Sequence, residues 1–306
     1  MNKIIVLSVN LSTNRSRKFP QNEIIIEENG VKGDVHAQKG NRQVSLIDEY
    51  HVNNFKKITS ARNTEFGEFA ENISIKGLGN KVVRIFDIFK IGDVILEVTQ
   101  IGKEFHREFS EIGHYVMPRV GIFCRVLQTG KIKSGDNIEY FPKVFKTTLI
   151  TLSDRASQGE YKDKSGPEIK KYLEKFFEKK DWNFEIDYKL IPDDPDELTS
   201  LALKSKKEKC DLIITTGGTG IGERDFTIDV IKPMLDKEIP GIMELIRVKY
   251  GMEKPAALLS RSVAGVIDKS LVFTLPGSVK AVKEYMTEIN KSLEHLVYML
   301  HGIDKH

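Results

Sequence analysis

Apolar and polar positions follow two patterns along this chain, and the change falls near Phe141-Pro142-Lys143. Before it, short apolar runs are separated by glycine turns. Lys3–Val9, Glu23-Ile-Ile-Ile-Glu and Gln43-Val-Ser-Leu-Ile read as strands. Two segments echo each other: Lys90-Ile-Gly-Asp-Val-Ile-Leu-Glu-Val and Lys133-Ser-Gly-Asp-Asn-Ile-Glu-Tyr. Each sets Gly-Asp at a turn before an alternating strand. One helix stands out, over Ile47–Ile58. Many short strands with few helices predict a closed or nearly closed β-barrel over residues 1–143.

From Thr147 onward strand and helix alternate. Strands are predicted at Thr148–Leu152, Phe184–Ile191, Asp211–Thr216, Val263–Ile267 and Leu271–Leu275. Helices are predicted at Gly166–Lys179, Asp196–Lys207, Thr227–Leu235, Gly241–Tyr250 and Ser278–Leu300. Ile169, Tyr172, Leu173, Phe176 and Phe177 line one face of the first of these. The order predicts a doubly wound, mainly parallel α/β sheet over residues 144–306.

Composition narrows the function. The 306 residues suffice for two domains, and a net charge of +3 gives no reason to expect nucleic acid binding. No apolar run is long enough to cross a bilayer. The two cysteines, Cys124 and Cys210, form no metal-ligand spacing and suit a reducing compartment. A soluble, cytoplasmic protein is expected.

The chemistry concentrates at Ile213–Thr227, IITTGGTGIGERDFT. An apolar strand runs into Gly217, Gly218, Gly220 and Gly222, and Thr227 is placed to cap the next helix. Strand, glycine loop and helix start together form an anion site, since glycine lets backbone N–H groups approach a phosphate. The pattern is neither a Walker loop nor G-x-G-x-x-G. Its carboxylates, Glu223 and Asp225, would repel a bare phosphate and make sense if a divalent cation bridges them. In an open parallel sheet, ligands sit beyond the carboxyl ends of the strands. Those ends carry Ser153-Asp154-Arg155, then Pro192-Asp193-Asp194, then the glycine loop, then Pro276-Gly277-Ser278. Singly, each has an ordinary structural reading: a turn, a cap or a surface ion pair. Together, Asp193 and Asp225 facing one crevice suggest Mg²⁺-assisted phosphoryl or nucleotidyl transfer.

SDRAS-x-GEYKDKSG, IPDD, TTGGTG-x-x-x-RDFT, IPGIMELIR, LLSRSVAGVI and LPGS resemble, in order, the molybdopterin adenylyltransferase (MogA/MoaB) family. The resemblance implies transfer of AMP from ATP to the terminal phosphate of molybdopterin, releasing pyrophosphate. It implies Asp193 and Asp225 as catalytic, Mg²⁺-associated acids. It also implies a nucleotide or pterin-phosphate pocket lined by Gly217, Gly218, Thr219 and Gly220, with Ser153, Arg155, Glu244, Ser260 and Ser278 as further candidates. A homotrimer and a molybdate-insertion partner are expected on the same ground. Val279 stands where many relatives carry a second proline.

The first half, through GVKGDVHAQKGNRQVSLID, FGEFAENISIKGL, IGDVILEVTQIGKEFH and MPRVGIFCRVLQTGKIKSGD, resembles a MOSC domain. That resemblance implies binding of pterin or finished cofactor and, in some relatives, sulfur carriage on cysteine. Here Phe105, Phe109 and Tyr115 occupy the places where similar relatives hold cysteines. Lys103, His106 and Arg119, with His36 and Arg42, are the candidates for an anion pocket; ordinary backbone-bonded histidines are the alternative. Two other functions stay open: a non-catalytic carrier of molybdopterin, and a cofactor sulfurtransferase.

Overall fold

The computed structural model describes residues 3–14, 17–59, 64–102 and 117–303. The chain divides into two compact units, Met1–Lys143 and Val144–His306.

The first unit runs β1 (Ile4–Leu11), β2 (Phe19–Gln21), β3 (Glu23–Glu27), β4 (Gly30–Val31), β5 (Val44–Asp48), α1 (Glu49–Thr59), β6 (Ile73–Lys76), β7 (Ile88–Ile91), β8 (Val94–Ile101), α2 (Met117–Val120), β9 (Ile122–Gln128), β10 (Gly130–Lys133) and β11 (Asn137–Phe141). The principal sheet is ordered β11-β7-β8-β9-β5-β6-β1, and β1 pairs back to β11, so the expected barrel closes. Closure pairs both outer strands of this seven-strand run with each other, while β2 adds to β1 as a short edge. A small sheet, β10-β3-β4, lies beside it. The two Gly-Asp echoes differ in use. Gly92, at φ +57°, turns β7 directly into β8. Gly135 turns between β10 and β11, which join different sheets. Val6, Ile26, Leu46, Ile75, Phe89, Leu96 and Val98 fill the core. The predicted helix begins two residues late, because Ile47 and Asp48 are still paired to β6.

The second unit runs β12 (Val144–Leu152), α3 (Asp154–Ser157), α4 (Ser165–Lys179), β13 (Asn183–Ile191), α5 (Pro195–Lys207), β14 (Leu212–Thr216), α6 (Thr227–Ile231), β15 (Lys237–Glu238), α7 (Pro240–Gly251), β16 (Ala264–Ile267), β17 (Ser270–Leu275) and α8 (Val279–Leu300). The sheet order is β13-β12-β14-β17-β16-β15. Its first four strands are parallel; β16 and β15 join antiparallel. Helices cover both faces: α4 packs on α8, and α5 on α6. Every residue of β14 is therefore buried, and its sequence lacks alternation. The helix predicted over Thr227–Leu235 stops at Ile231 and tightens into a 3₁₀ turn at Lys232–Met234. Pro233 has no N–H to continue the α ladder.

Candidate functional site

The strand order reverses direction between β12 and β14, which puts the loops after them on either side of one crevice. The loop after β14 is shaped by its glycines. Gly217 and Gly218 hold φ of +104° and +62°. A Cβ on Gly217 would stand 2.3 Å from the Leu152 carbonyl oxygen, and one on Gly218 2.5 Å from Thr227 Oγ1. A side chain at either place is excluded by strain and by contact. Thr227 does not cap α6; its hydroxyl donates to the Gly217 carbonyl at 2.9 Å, and Phe226 occupies the cap position. Thr219 is buried, while Ile221 beyond it is exposed.

Asp225 folds back over this loop. Its Oδ2 accepts the Gly222 N–H at 2.8 Å and would lie 2.6 Å from a Cβ on Gly220. Gly220 is thus a glycine because the carboxylate occupies its side-chain space.

The two aspartates after β13 divide the work. Asp194 caps α5, accepting from the N–H groups of Asp196 and Glu197 at 2.8 and 3.1 Å. Asp193 turns the other way. Its Oδ2 accepts the Asp154 N–H at 3.2 Å, and its own N–H donates to Asp154 Oδ1 at 2.9 Å. Burial pushes the Asp193 carboxyl up from its ordinary value, and repulsion from Asp154 and Asp225 adds to this. Three acids from three loops therefore share one field. Arg224, itself largely exposed, donates to Asp154 at 3.2 Å. The surface ion pair read in the sequence between Asp154 and Arg155 is replaced by this one; Arg155 instead lies over the Tyr161 ring, 5.3 Å from its centre.

Ser153 caps α3 through the Ala156 N–H and shares a 2.9 Å hydrogen bond with Tyr161. Ser278 caps α8, accepting from Ala281 at 3.2 Å. The loops holding Gly217 and Ser278 meet: Gly217 N–H donates to the Leu275 carbonyl at 3.0 Å, and a Cβ on Gly277 would lie 3.4 Å from Gly217 Cα. Ser260 is engaged by Ser262 at 2.8 Å, and Glu244 is exposed on α7. No hydrogen bond or ion pair described here joins Glu244 to the glycine loop.

Two residues carry more of this geometry than the sequence suggested. Arg261 donates from Nε to the Gly220 carbonyl at 2.8 Å, donates to the Asp225 carbonyl, and clasps both Asp229 oxygens at 2.9 and 2.7 Å. Its own N–H bonds the Thr219 carbonyl. Its place inside SRSVAG gave the signal, but the loop it fixes is some forty residues away. Asp163 accepts from the Thr151, Tyr188 and Ser165 hydroxyls and from the Ser165 and Gly166 N–H groups, at 2.6–3.1 Å. Burial would raise its pKa, but these donors outweigh burial and lower it; Tyr188 is pushed up to about 12, by burial first and then by Asp163. Asp163 is a fastening for α4.

In the barrel unit, Lys103 and His106 lie outside the described residues, as do Phe105, Phe109 and Tyr115. Arg119 is exposed at the end of α2, and Arg42 is exposed before β5. His36 turns toward Asp34, at 3.5 Å. Cys124 pairs with Val98 and Val44 inside the barrel and is fully buried; burial pushes its thiol well up, and Glu97 adds to this. Such a thiol is a poor nucleophile. Among the described residues no helix is long and apolar enough to cross a membrane, and no group of three or more potential ligands forms a metal cluster.

The fold thus defines an α/β domain with a glycine loop and carboxylates at the carboxyl ends of its strands, joined to a closed β-barrel. The family described as "Probable molybdopterin binding domain" matches residues 148–295, and the MOSC domain matches residues 32–139. A molybdopterin adenylyltransferase of Pyrococcus furiosus is 41% identical over 161 residues, 51% of this chain and 91% of that protein. One from Helicobacter pylori is 35% identical over 155 residues, 50% of this chain and 86% of that protein. A crystal structure titled as the molybdopterin biosynthesis enzyme MoaB from Thermus thermophilus is 36% identical, covers 52% of this chain and 97% of its own, and superposes with a TM-score of 0.47. The chain belongs to the MogA/MoaB-like family of molybdenum cofactor biosynthesis through its second unit, and carries a MOSC domain in its first.

Proposed function

We propose that the chain is a Mg²⁺-dependent molybdopterin adenylyltransferase whose MOSC domain binds pterin or cofactor. The observation that carries this reading is the meeting of Asp154, Asp193 and Asp225 at a glycine loop suited to phosphate. An acid such as Asp193, raised by burial and by facing carboxylates, is a standing cost unless a cation joins it. A cation that keeps most of its waters needs only one or two carboxylates, so the absence of a larger ligand cluster among the described residues fits Mg²⁺. Asp193 and Asp225 would hold it, and bound there it would neutralise charge on the reacting phosphates.

In the reaction, a terminal phosphate oxygen of molybdopterin attacks the α-phosphorus of ATP. The bond to the β-phosphate bridging oxygen breaks, and pyrophosphate leaves with that electron pair. Backbone N–H groups of Gly218, Thr219 and Gly220 orient the phosphates, Gly217 lets the loop turn beneath them, and Ser278 at the start of α8 supplies a second anion contact. Ser153, Arg155, Glu244 and Ser260 border the nucleotide or pterin. Arg261 keeps the loop in register. Positioning and charge neutralisation suffice, so no protein nucleophile is required. The chain acts as a homotrimer that passes its product to a molybdate-insertion protein. Leu245, Val248, Met252, Leu258 and Leu259, all exposed on and after α7, supply apolar surface for such an assembly.

Incubation with α-labelled ATP, Mg²⁺ and molybdopterin tests the reading. Label is expected in a pterin product, with none when a chelator is added. Labelled pterin that forms equally well in chelator would remove the metal from the account. No labelled pterin at all would leave a carrier.

A further inference from the structure

The barrel unit has a cavity that none of the candidate site residues named above lines. It lies between α1, β2 and the turn preceding β6, with a volume of about 360 Å³. That is the lower end of the range for small-molecule sites. Ile47, Val52 and Phe69 give it an apolar body, and Phe66, exposed, stands at its rim.

Glu71 lies in its wall and is 1% exposed. Its Oε1 accepts from Gly67 N–H and Ser74 Oγ, each at 2.7 Å. Its Oε2 is buried with no well-aligned hydrogen-bond partner among the described residues, the Phe69 and Glu71 N–H groups reaching the carboxyl only weakly, and Thr64 Oγ1, in the same wall, has none. Buried oxygens without donors are rare in folded proteins and mark places where a donor is missing. The wall's described charges are Glu49, Glu65, Glu71 and Lys56, with Glu49 paired to Lys76 at 3.7 Å and Glu65 to Arg17 at 3.5 Å, so that Glu71 is the acid among them without a base. Lys56 is turned toward the Thr64 carbonyl, at 3.5 Å. An anion such as a phosphate would find a carboxyl where it needs a donor. A cation with N–H donors would meet two waiting acceptors and an apolar wall.

We propose that this cavity binds a small organic cation, an amine or amidine on a compact apolar body, with its N–H groups on Glu71 Oε2 and Thr64 Oγ1. The ring or chain lies against Val52 and Phe69, where an aromatic face also favours positive charge. Burial pushes the Glu71 carboxyl up from its ordinary value, the direction expected of an acid lacking its cation. The site differs in charge from the anion pocket expected around Arg119, and its occupancy does not depend on the adenylyl-transfer reading.

The test is titration of the full chain with benzamidine, followed by calorimetry and amide NMR, with benzoate as the control of same body and opposite charge. Saturable one-to-one benzamidine binding is expected, with shifts on α1 and residues 64–74, and none with benzoate. Glu71→Gln, which keeps the shape and removes the charge, should weaken binding at least tenfold. Asn53→Trp, at an exposed wall position, should close the mouth and abolish it. If Glu71→Gln does not fold, Asn53→Trp decides alone. Absence of saturable binding, equal binding of benzoate, or benzamidine binding unchanged in the folded variants would overturn the proposal.

Discussion

Two acids, one in each unit, are held in opposite ways. In the barrel, Lys18 and Asp34 sit almost fully buried, with Nζ 2.8 Å from both carboxylate oxygens. Asn72 and the Ser12 and His36 N–H groups complete the shell around Asp34. Burial alone would raise that carboxyl, yet hydrogen bonds from His36 and Lys18 outweigh it and hold it well below the ordinary range. In the α/β unit, burial first, and then the facing acids Asp154 and Asp225, move the Asp193 carboxyl up. A closed set of partners marks an acid that holds structure. An acid raised by its neighbours marks a place that gains from a cation arriving later.

The comparison breaks most readily at Lys18. Lys18→Met should leave Asp34 buried without its counter-charge and cost about 3–5 kcal/mol, read by urea unfolding. A loss under ~1 kcal/mol would make the pair an ornament. Asp163 is the α/β unit's own example of a closed set, with donors from three elements. Asp163→Ala should cost about 2–4 kcal/mol. Its folded pKa is lowered, so its contribution is present above the ordinary carboxylate range and is lost as pH falls through the folded value. The wild-type advantage over a chain lacking this linkage should therefore shrink as pH falls below the ordinary carboxylate range. The alanine variant should be less stable at neutrality but flatter with acid.

Asp193 has the opposite sign. Its folded pKa is raised, so whatever it contributes is present at low pH and lost as pH rises through the folded value. Asp193→Asn should raise Tm of the ligand-free protein at neutral pH, by about 2 °C, while lowering turnover. A lower Tm would mean that Asp193 belongs with Asp163. The smallest effect is expected at Cys124, whose thiol is buried between barrel strands. Cys124→Ser should leave adenylyl transfer within about twofold of wild type. Incubation with a cysteine desulfurase and cysteine should add no sulfur to it by mass spectrometry, whereas a persulfide there would restore the sulfurtransferase reading.

The barrel and the mainly parallel sheet were both legible in the sequence, because strand and helix periods survive wherever one face is buried. The loops that follow β12, β13, β14 and β17 were legible too, since the chain announces each with Asp, Gly or Ser directly after an apolar run. Tertiary partnership was less accessible. Thr227 looked like a cap because caps are read locally, yet its hydroxyl serves Gly217. Arg261 was missed because its carbonyl partners come from the glycine loop. The separate tasks of Asp193 and Asp194 follow from which way each side chain turns, and no spacing records that. The short β15 carries no apolar pattern, and both its residues are exposed.

On the proposed reading Asp225, laid over the glycine loop, serves adenylyl transfer as well as the shape of that loop. The direct measurement is pyrophosphate release with ATP, Mg²⁺ and molybdopterin, in wild type and in Asp225→Asn, with pterin binding measured alongside. The account predicts release that needs the pterin and falls by about a thousandfold in the variant, roughly 4 kcal/mol of lost transition-state stabilisation, while pterin still binds. Equal release from both proteins would contradict it.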